Sequence, residues 1–130
     1  MIVDFSKKSC LIVDENEFSR TFIKNSFSDI GFQTIKDAST IEEAINLLST
    51  TSFDIISLEQ KLNASSGVEL AKEINSGKYL KNKNTHVIII SAESSSDVVK
   101  NAKDAGVSSY LLKPVSLETL KKRISFILKD

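Results

Sequence analysis

Acidic residues, a hydroxyl and a lysine stand directly after short apolar runs in this chain. Asp14 and Glu15 follow Cys10-Leu-Ile-Val13, and Glu59 follows Phe53-Asp-Ile-Ile-Ser-Leu58. Ser91-Ala-Glu93 follows Val87-Ile-Ile-Ile90, and Lys113-Pro114 follows Ser109-Tyr-Leu-Leu112. If the first and third runs are neighbouring strands, Asp14, Glu15 and Glu59 converge on one edge. Three like charges in one place repel unless a cation sits among them. Two kinds of cation are candidates. One is a hard divalent ion such as Mg²⁺, which takes oxygen ligands. The other is a lysine, with Lys113 and Lys61 both in reach. The bland alternative is that the acids merely solvate strand ends.

Such a constellation needs strands that end together. The apolar runs alternate with helical patterns. Phe18, Phe22, Ile23, Phe27 and Ile30 share one helical face that closes at Gly31. Phe32 to Ile35 is the weakest strand signal. Ser39 and Thr40 can cap a helix through Ile41, Ala44, Ile45, Leu47 and Leu48. Ser66-Gly67 opens a helix through Val68, Leu70, Ala71 and Ile74, ending near Gly77. Ser94 to Ser96 precede Val98, Val99, Ala102 and Ala105, stopped by Gly106. Ser116 caps a last helix with Leu117, Leu120, Ile124, Ile127 and Leu128 on one face. Strand and helix therefore alternate five times. That order predicts an α/β domain with a parallel sheet and helices on both faces. Ligands of such sheets bind beyond the carboxyl ends of the strands.

The 130 residues and 14.4 kDa suit one domain, expected over residues 1–130. Lys and Arg number 17, as do Asp and Glu, so the formal net charge is zero. No long-range field steers the chain onto nucleic acid or anionic lipid, and neither is expected as a partner. One cysteine, Cys10, allows no intrachain disulfide, and one His, His86, leaves no Cys/His zinc set. No apolar run approaches the roughly 20 residues that span a bilayer. The N-terminus lacks a basic-then-apolar export pattern, so a cytoplasmic location is expected. Cys10 reads as a buried small hydrophobe, and His86 as a residue at the amino-terminal edge of its strand. Lys78, Lys81 and Lys83 with Tyr79 read as a solvated polar loop. Lys121, Lys122 and Arg123 read as the solvent face of the last helix.

At these residues the chain resembles the receiver domains of response regulators, the modules of two-component phosphorelay signalling, and most of all the stand-alone chemotaxis type. The resemblance spans roughly residues 8–129. It rests on Leu-Ile-Val-Asp14-Glu15, the stretch Glu59 to Gly67, Ser91-Ala-Glu93 and Tyr110-Leu-Leu-Lys113-Pro114. It implies a three-layer, doubly wound, flavodoxin-like fold: five parallel strands in the order 2-1-3-4-5, with five helices. By the same resemblance Asp14 and Glu15 match an acidic pair that holds Mg²⁺. Ser91 matches the hydroxyl that turns toward a phosphoryl oxygen, and Tyr110 the aromatic that switches with it. Lys113 matches the lysine that pairs with the phosphoacceptor, and the peptide to Pro114 is expected to be cis.

One departure stands out. The family places its phosphoaccepting Asp eight residues before the glycine matched by Gly67, and Glu59 stands there. An in-line nucleophile must be held within a narrow geometry. One added methylene shifts the carboxylate by about 1.5 Å. Phosphorylation at the usual position is therefore not expected, and Glu59 can act as a phosphomimetic. Asn63 replaces the family's usual proline. Lys61 occupies the position whose carbonyl contacts the metal; its side chain either folds over the acids or is solvated. A metal site of Asp14, Glu15 and Glu59 is expected to be weak or empty, with Lys113 paired to Glu59.

The expected function is that of an atypical pseudo-receiver, a signalling module and not an enzyme. It would work through protein contact on the helix 4, strand 5 and helix 5 face, with a histidine kinase as one candidate partner. Two other classes compete: a metal-dependent phosphatase-like enzyme, and a flavin or nucleotide carrier. The glycine-free, acidic loop Asp14 to Phe18 counts against a phosphate cradle. The sequence leaves open whether Glu59 gives a locked-on state or an inert scaffold.

Overall fold

Five strands pair in parallel into one sheet in the computed structural model, which describes residues 2–129. They are β1 (Ser9–Val13), β2 (Thr34–Ala38), β3 (Ile55–Leu58), β4 (His86–Ser91) and β5 (Ser109–Leu112). Their spatial order is β2-β1-β3-β4-β5, the flavodoxin-like order expected. Five helices alternate with them: α1 (Glu17–Ile30), α2 (Ile41–Thr50), α3 (Gly67–Asn75), α4 (Ser96–Asp104) and α5 (Leu117–Leu128). Both faces of the sheet are covered. Leu11, Val13, Ile56, Leu58 and Ile89 pack with α2, α3 and α4 through Leu48, Leu70 and Ala102. Cys10, Ile12, Ile55, Ile88 and Ile90 pack with α1 and α5 through Phe27 and Ile124. The continuous apolar runs are a consequence of this double burial.

Each helix begins on a side-chain cap: Asn16, Thr40, Ser66, Ser95 and Ser116 accept from the N–H three residues on. Each also carries acid in its first turn, complementing the helix dipole: Glu17, Glu42 with Glu43, Glu69, Asp97 and Glu118. Because every helix returns from a strand's carboxyl end, these acids gather on the same edge as Asp14 and Glu59.

The structure corrects several expectations. The second strand runs over 34–38 instead of 32–35. Phe32 drops into the core against Phe5 and Phe27, leaving edge pairing to Thr34 onward. The third strand starts at Ile55, because the Asp54 carboxylate turns back to accept from the Ser9 N–H at 2.8 Å. Phe18 and Phe22 are not core residues: they are 85% and 49% exposed. The stripe of α1 that meets the sheet is Ile23, Phe27 and Ile30, while Phe18 and Phe22 flank Pro114 at the rim. A short hairpin, Lys61–Leu62 against Ser65–Ser66, follows β3 and turns through Ala64 at φ 66°. Tyr79, expected in a solvated loop, is buried and donates to Glu73 Oε1 at 3.0 Å.

The same loop holds a hub. The Asn82 side chain is fully buried and donates to the carbonyls of Leu48 and Thr51, each at 2.8 Å. Its Oδ1 accepts from the Phe53 N–H and the Thr85 hydroxyl, both at 2.9 Å. The Thr85 hydroxyl also lies 2.8 Å from the Phe53 carbonyl, so its single proton is shared between the two acceptors. Thr85→Val keeps the shape and deletes the hydroxyl, leaving buried acceptors short of a donor. We expect a loss of about 1–2 kcal/mol in urea unfolding. A change indistinguishable from zero would show that the hub does not stabilise the fold.

Candidate functional site

The carboxyl ends of β1, β3 and β5 bring together Asp14, Glu59 and Lys113. Asp14 follows β1, and its N–H donates to the Ala38 carbonyl at 3.2 Å, continuing the sheet by one residue. The N–H of Glu59 does the same to Val13 O at 2.9 Å, and that of Lys113 to Ser91 O at 2.9 Å. The backbone thus sets three side chains on one edge before any side-chain contact is made. The Lys113 ammonium then lies 2.9 Å from Asp14 Oδ2 and 2.7 Å from Glu59 Oε1. The peptide between Lys113 and Pro114 is cis.

The site is largely shielded: side-chain exposure is 2% for Asp14, 13% for Glu59 and 23% for Lys113. Burial alone would lower the Lys113 pKa. The hydrogen bonds it donates to Glu59 and Asp14, with their charges, outweigh it and hold the lysine above its usual value. The other carboxylate oxygens are engaged as well. Asp14 Oδ1 accepts from the Asn16 N–H at 2.9 Å, and Asp14 Oδ2 also accepts from the Ser19 hydroxyl at 2.7 Å. Glu59 Oε2 accepts from the Gln60 N–H at 2.6 Å. Glu15 faces away from the lysine and accepts from the Asn63 N–H at 2.7 Å. Lys61 is exposed and makes no ion pair among the described residues, and it lines the same groove as Asp14, Glu15 and Glu59.

Gly67 fixes the floor of the site. Its N–H donates to the Gln60 carbonyl at 2.9 Å, and the Gln60 side chain accepts from the buried Val68 N–H at 2.9 Å. A Cβ on Gly67 would stand 2.6 Å from the Glu59 carbonyl oxygen and 3.2 Å from the Gln60 Cα. Only a residue without a side chain lets α3 approach the Glu59–Gln60 backbone this closely.

Beside the acids, Ser91 is buried and its hydroxyl accepts from the Glu93 N–H at 3.2 Å. The Tyr110 hydroxyl donates to the Glu93 carbonyl at 2.7 Å, so both residues hold the loop after β4. Burial pushes the Tyr110 phenol up; the nearby Ser91 hydroxyl pulls the other way, and the Glu93 and Glu59 charges add to the rise.

Sequence reasoning missed Ser19, Arg20 and Asp37. Arg20 donates through Nη1 to the Asp14 carbonyl at 2.9 Å, while its Nε pairs with Asp37 at 2.9 Å and Lys24 joins Asp37 at 3.2 Å. The available signal was position: polar residues in the first turn of a helix that starts above β1 can reach back to the residue at its end.

The comparisons agree with this geometry. The family model described as the response regulator receiver domain matches residues 10–125. Chemotaxis protein CheY-3 of Vibrio cholerae is 31% identical over 117 residues, covering 90% of this chain and 88% of that protein. Chemotaxis protein CheY of Pseudomonas aeruginosa is 30% identical over 117 residues, covering 90% and 93%. A two-component response regulator from Clostridium difficile superimposes with a TM-score of 0.85 at 26% identity, covering 95% and 97%. With the sheet order, the acid–lysine edge and these likenesses in agreement, the chain belongs to the response regulator receiver domain family and is a signal-transduction module.

Proposed function

We propose that this receiver works without phosphorylation at the family's usual position, its signalling state set by the Glu59–Lys113 pair. The observation that carries the reading is the 2.7 Å contact between Lys113 Nζ and Glu59 Oε1, with Glu59 Oε2 held by the Gln60 N–H. Each oxygen of the carboxylate at the acceptor position accepts a hydrogen bond, which holds the longer Glu59 side chain away from the in-line geometry that attack on phosphorus requires. Lys113 makes with Glu59 the pairing that the resemblance implies for the acceptor position, and the pair holds without a phosphoryl group.

The same geometry bears on Mg²⁺. Near-octahedral coordination needs several oxygens turned to one point. Here Asp14 and Glu59 turn to an ammonium, and Glu15 turns to the hairpin. Among the described residues no group of three His, Cys, Asp or Glu is placed to hold a metal ion. With Glu59 drawn to Lys113 this arrangement disfavours the ion, and no step in the mechanism is drawn through it. The output is protein contact through α4, β5 and α5, where Val99, Leu112 and Leu117 are 39%, 49% and 41% exposed around Tyr110. Ser91 and Tyr110 would couple that face to the acid edge through the loop they both hold. In this reading a histidine kinase is a docking partner and not a phosphoryl donor. Among the described residues no helix is long and apolar enough to cross a membrane.

Acetyl phosphate with Mg²⁺ should leave the intact mass of the protein unchanged, whereas Glu59→Asp should gain one phosphoryl group. A phosphoryl group mapped to Glu59 in the unaltered protein would overturn the proposal.

A further inference from the structure

The end of the sheet opposite the acid edge is basic. A groove of about 410 Å³ there is lined by Lys8, Lys81, Lys83, His86 and Lys129. On the far side of His86 a second groove runs past Arg123 and Phe126. Among the described residues Asp54 is the one carboxylate lining either groove, and it is turned to the Ser9 N–H. None of the four lysines is within ion-pair distance of a carboxylate among the described residues. Lys81 donates only to the Thr50 carbonyl, at 3.2 Å, and Lys129 lies 4.2 Å over the Phe126 ring. Leu80 and Phe126, 82% and 66% exposed, project beside these cations.

The surface is preorganised. Lys81 and Lys83 flank Asn82, whose four hydrogen bonds fasten the loop to the end of α2 and the approach to β3. His86 is the first residue of β4. The backbone that carries these cations is already ordered, so meeting an anion costs side-chain freedom but not loop freedom.

We infer that this amino-terminal end of the sheet docks an acidic segment of a partner protein, one in which Asp or Glu residues flank an apolar side chain. Charge complementarity selects carboxylates, and the exposed Leu80 in one groove and Phe126 in the other each offer contact to an apolar side chain. A nucleic-acid backbone would use the cations alone. The inference does not depend on how Glu59 is read, since the two sites lie at opposite ends of the strands.

The probe is a short fluorescein-labelled peptide of Asp and Glu around a central Phe-Leu pair, titrated into the full chain. We expect binding that weakens about tenfold between about 20 and 200 mM salt. The double variant Lys81→Glu/Lys83→Glu should weaken it about tenfold further at the lower salt. Amide shifts on titration should concentrate at 80–86 and 123–129. A Leu80→Ser variant should lose affinity with its salt dependence unchanged, which separates docking from simple charge attraction. The inference is overturned if the peptide does not bind, if the shifts lie elsewhere, or if a single-stranded oligonucleotide binds the surface more tightly. Salt-sensitive self-association abolished by the double variant would also overturn it, by making a second copy the occupant.

Discussion

Lys113→Met is expected to lower the stability of the fold by about 3 kcal/mol at neutral pH. The variant keeps an unbranched stem of similar length and removes the one charge that Asp14 and Glu59 share. Asp14 is almost wholly buried, and a buried ion left without its partner is far costlier than the pair was favourable. Adding Glu59→Gln to Lys113→Met removes one of the orphaned charges and should restore about half of the loss. If Lys113→Met were neutral in urea unfolding, the triad would be an incidental surface contact. The pH dependence follows with a definite sign. Lys113 titrates higher in the folded chain than an unfolded lysine, whose value is about 10.4. Its contribution is therefore complete below that pH and is lost as pH rises through the folded value. The gap between the unaltered protein and Lys113→Met should narrow in strong alkali and stay constant from pH 7 to 9. Tyr79, pushed up to about 12 first by burial and then by Glu73, also loses stability with rising pH above about 10. It does so in both proteins and cancels in the difference.

Gly67→Ala should lower stability by about 2–3 kcal/mol, well beyond the usual effect of adding a methyl at a helix start. Helix propensity alone would favour alanine. The obstacle is the 2.6 Å approach to the Glu59 carbonyl oxygen, a backbone atom with no flexible end to move aside. Relief requires α3 to shift or the Glu59–Gln60 turn to open, which breaks the bond from Gly67 N–H to Gln60 O and the buried bond from Val68 N–H to Gln60. Gly77→Ala is the control for lost glycine content: nothing lies within 4 Å of its Cβ, and the only strain is its φ of 85°. Equal losses for the two variants would show that the tight approach at Gly67 has no special weight.

The strands and helices were legible because burial on two faces writes itself as uninterrupted apolar runs and capping residues mark helix starts, whereas the order of the strands came from the family resemblance. Ser109–Leu112 falls where its apolar run placed it, and Ser66 and Ser116 cap the helices expected of them. The edge strand was not legible to the residue. Lys36 and Asp37 in β2 are half-buried or exposed, so no apolar run marks it, and Phe32 misleads by entering the core ahead of the strand. Phe18 and Phe22 misled for the opposite reason: helical period shows that two residues share a stripe, not that anything covers it. At the site, strand ends sufficed to place Asp14, Glu59 and Lys113. Glu15 and Lys61 could not be placed that way, since both lie in loops whose direction depends on the hairpin after β3. Asn82 gave no signal, because a lone Asn between lysines reads as solvated loop until its four partners are seen.

A chain with no net charge has one acidic edge and one basic edge, held apart by the length of the strands. The leading electrostatic quantity felt at a distance is therefore a dipole aligned with the strands. Its potential falls with the square of distance and changes sign from one end to the other, so an approaching ion is turned before it is drawn in. Salt would weaken this aligning influence over about 8–10 Å without altering the short contacts of Lys113. An encounter with a charged protein would thus be selected by orientation first, presenting the acid edge to basic surfaces and the lysine groove to acidic ones.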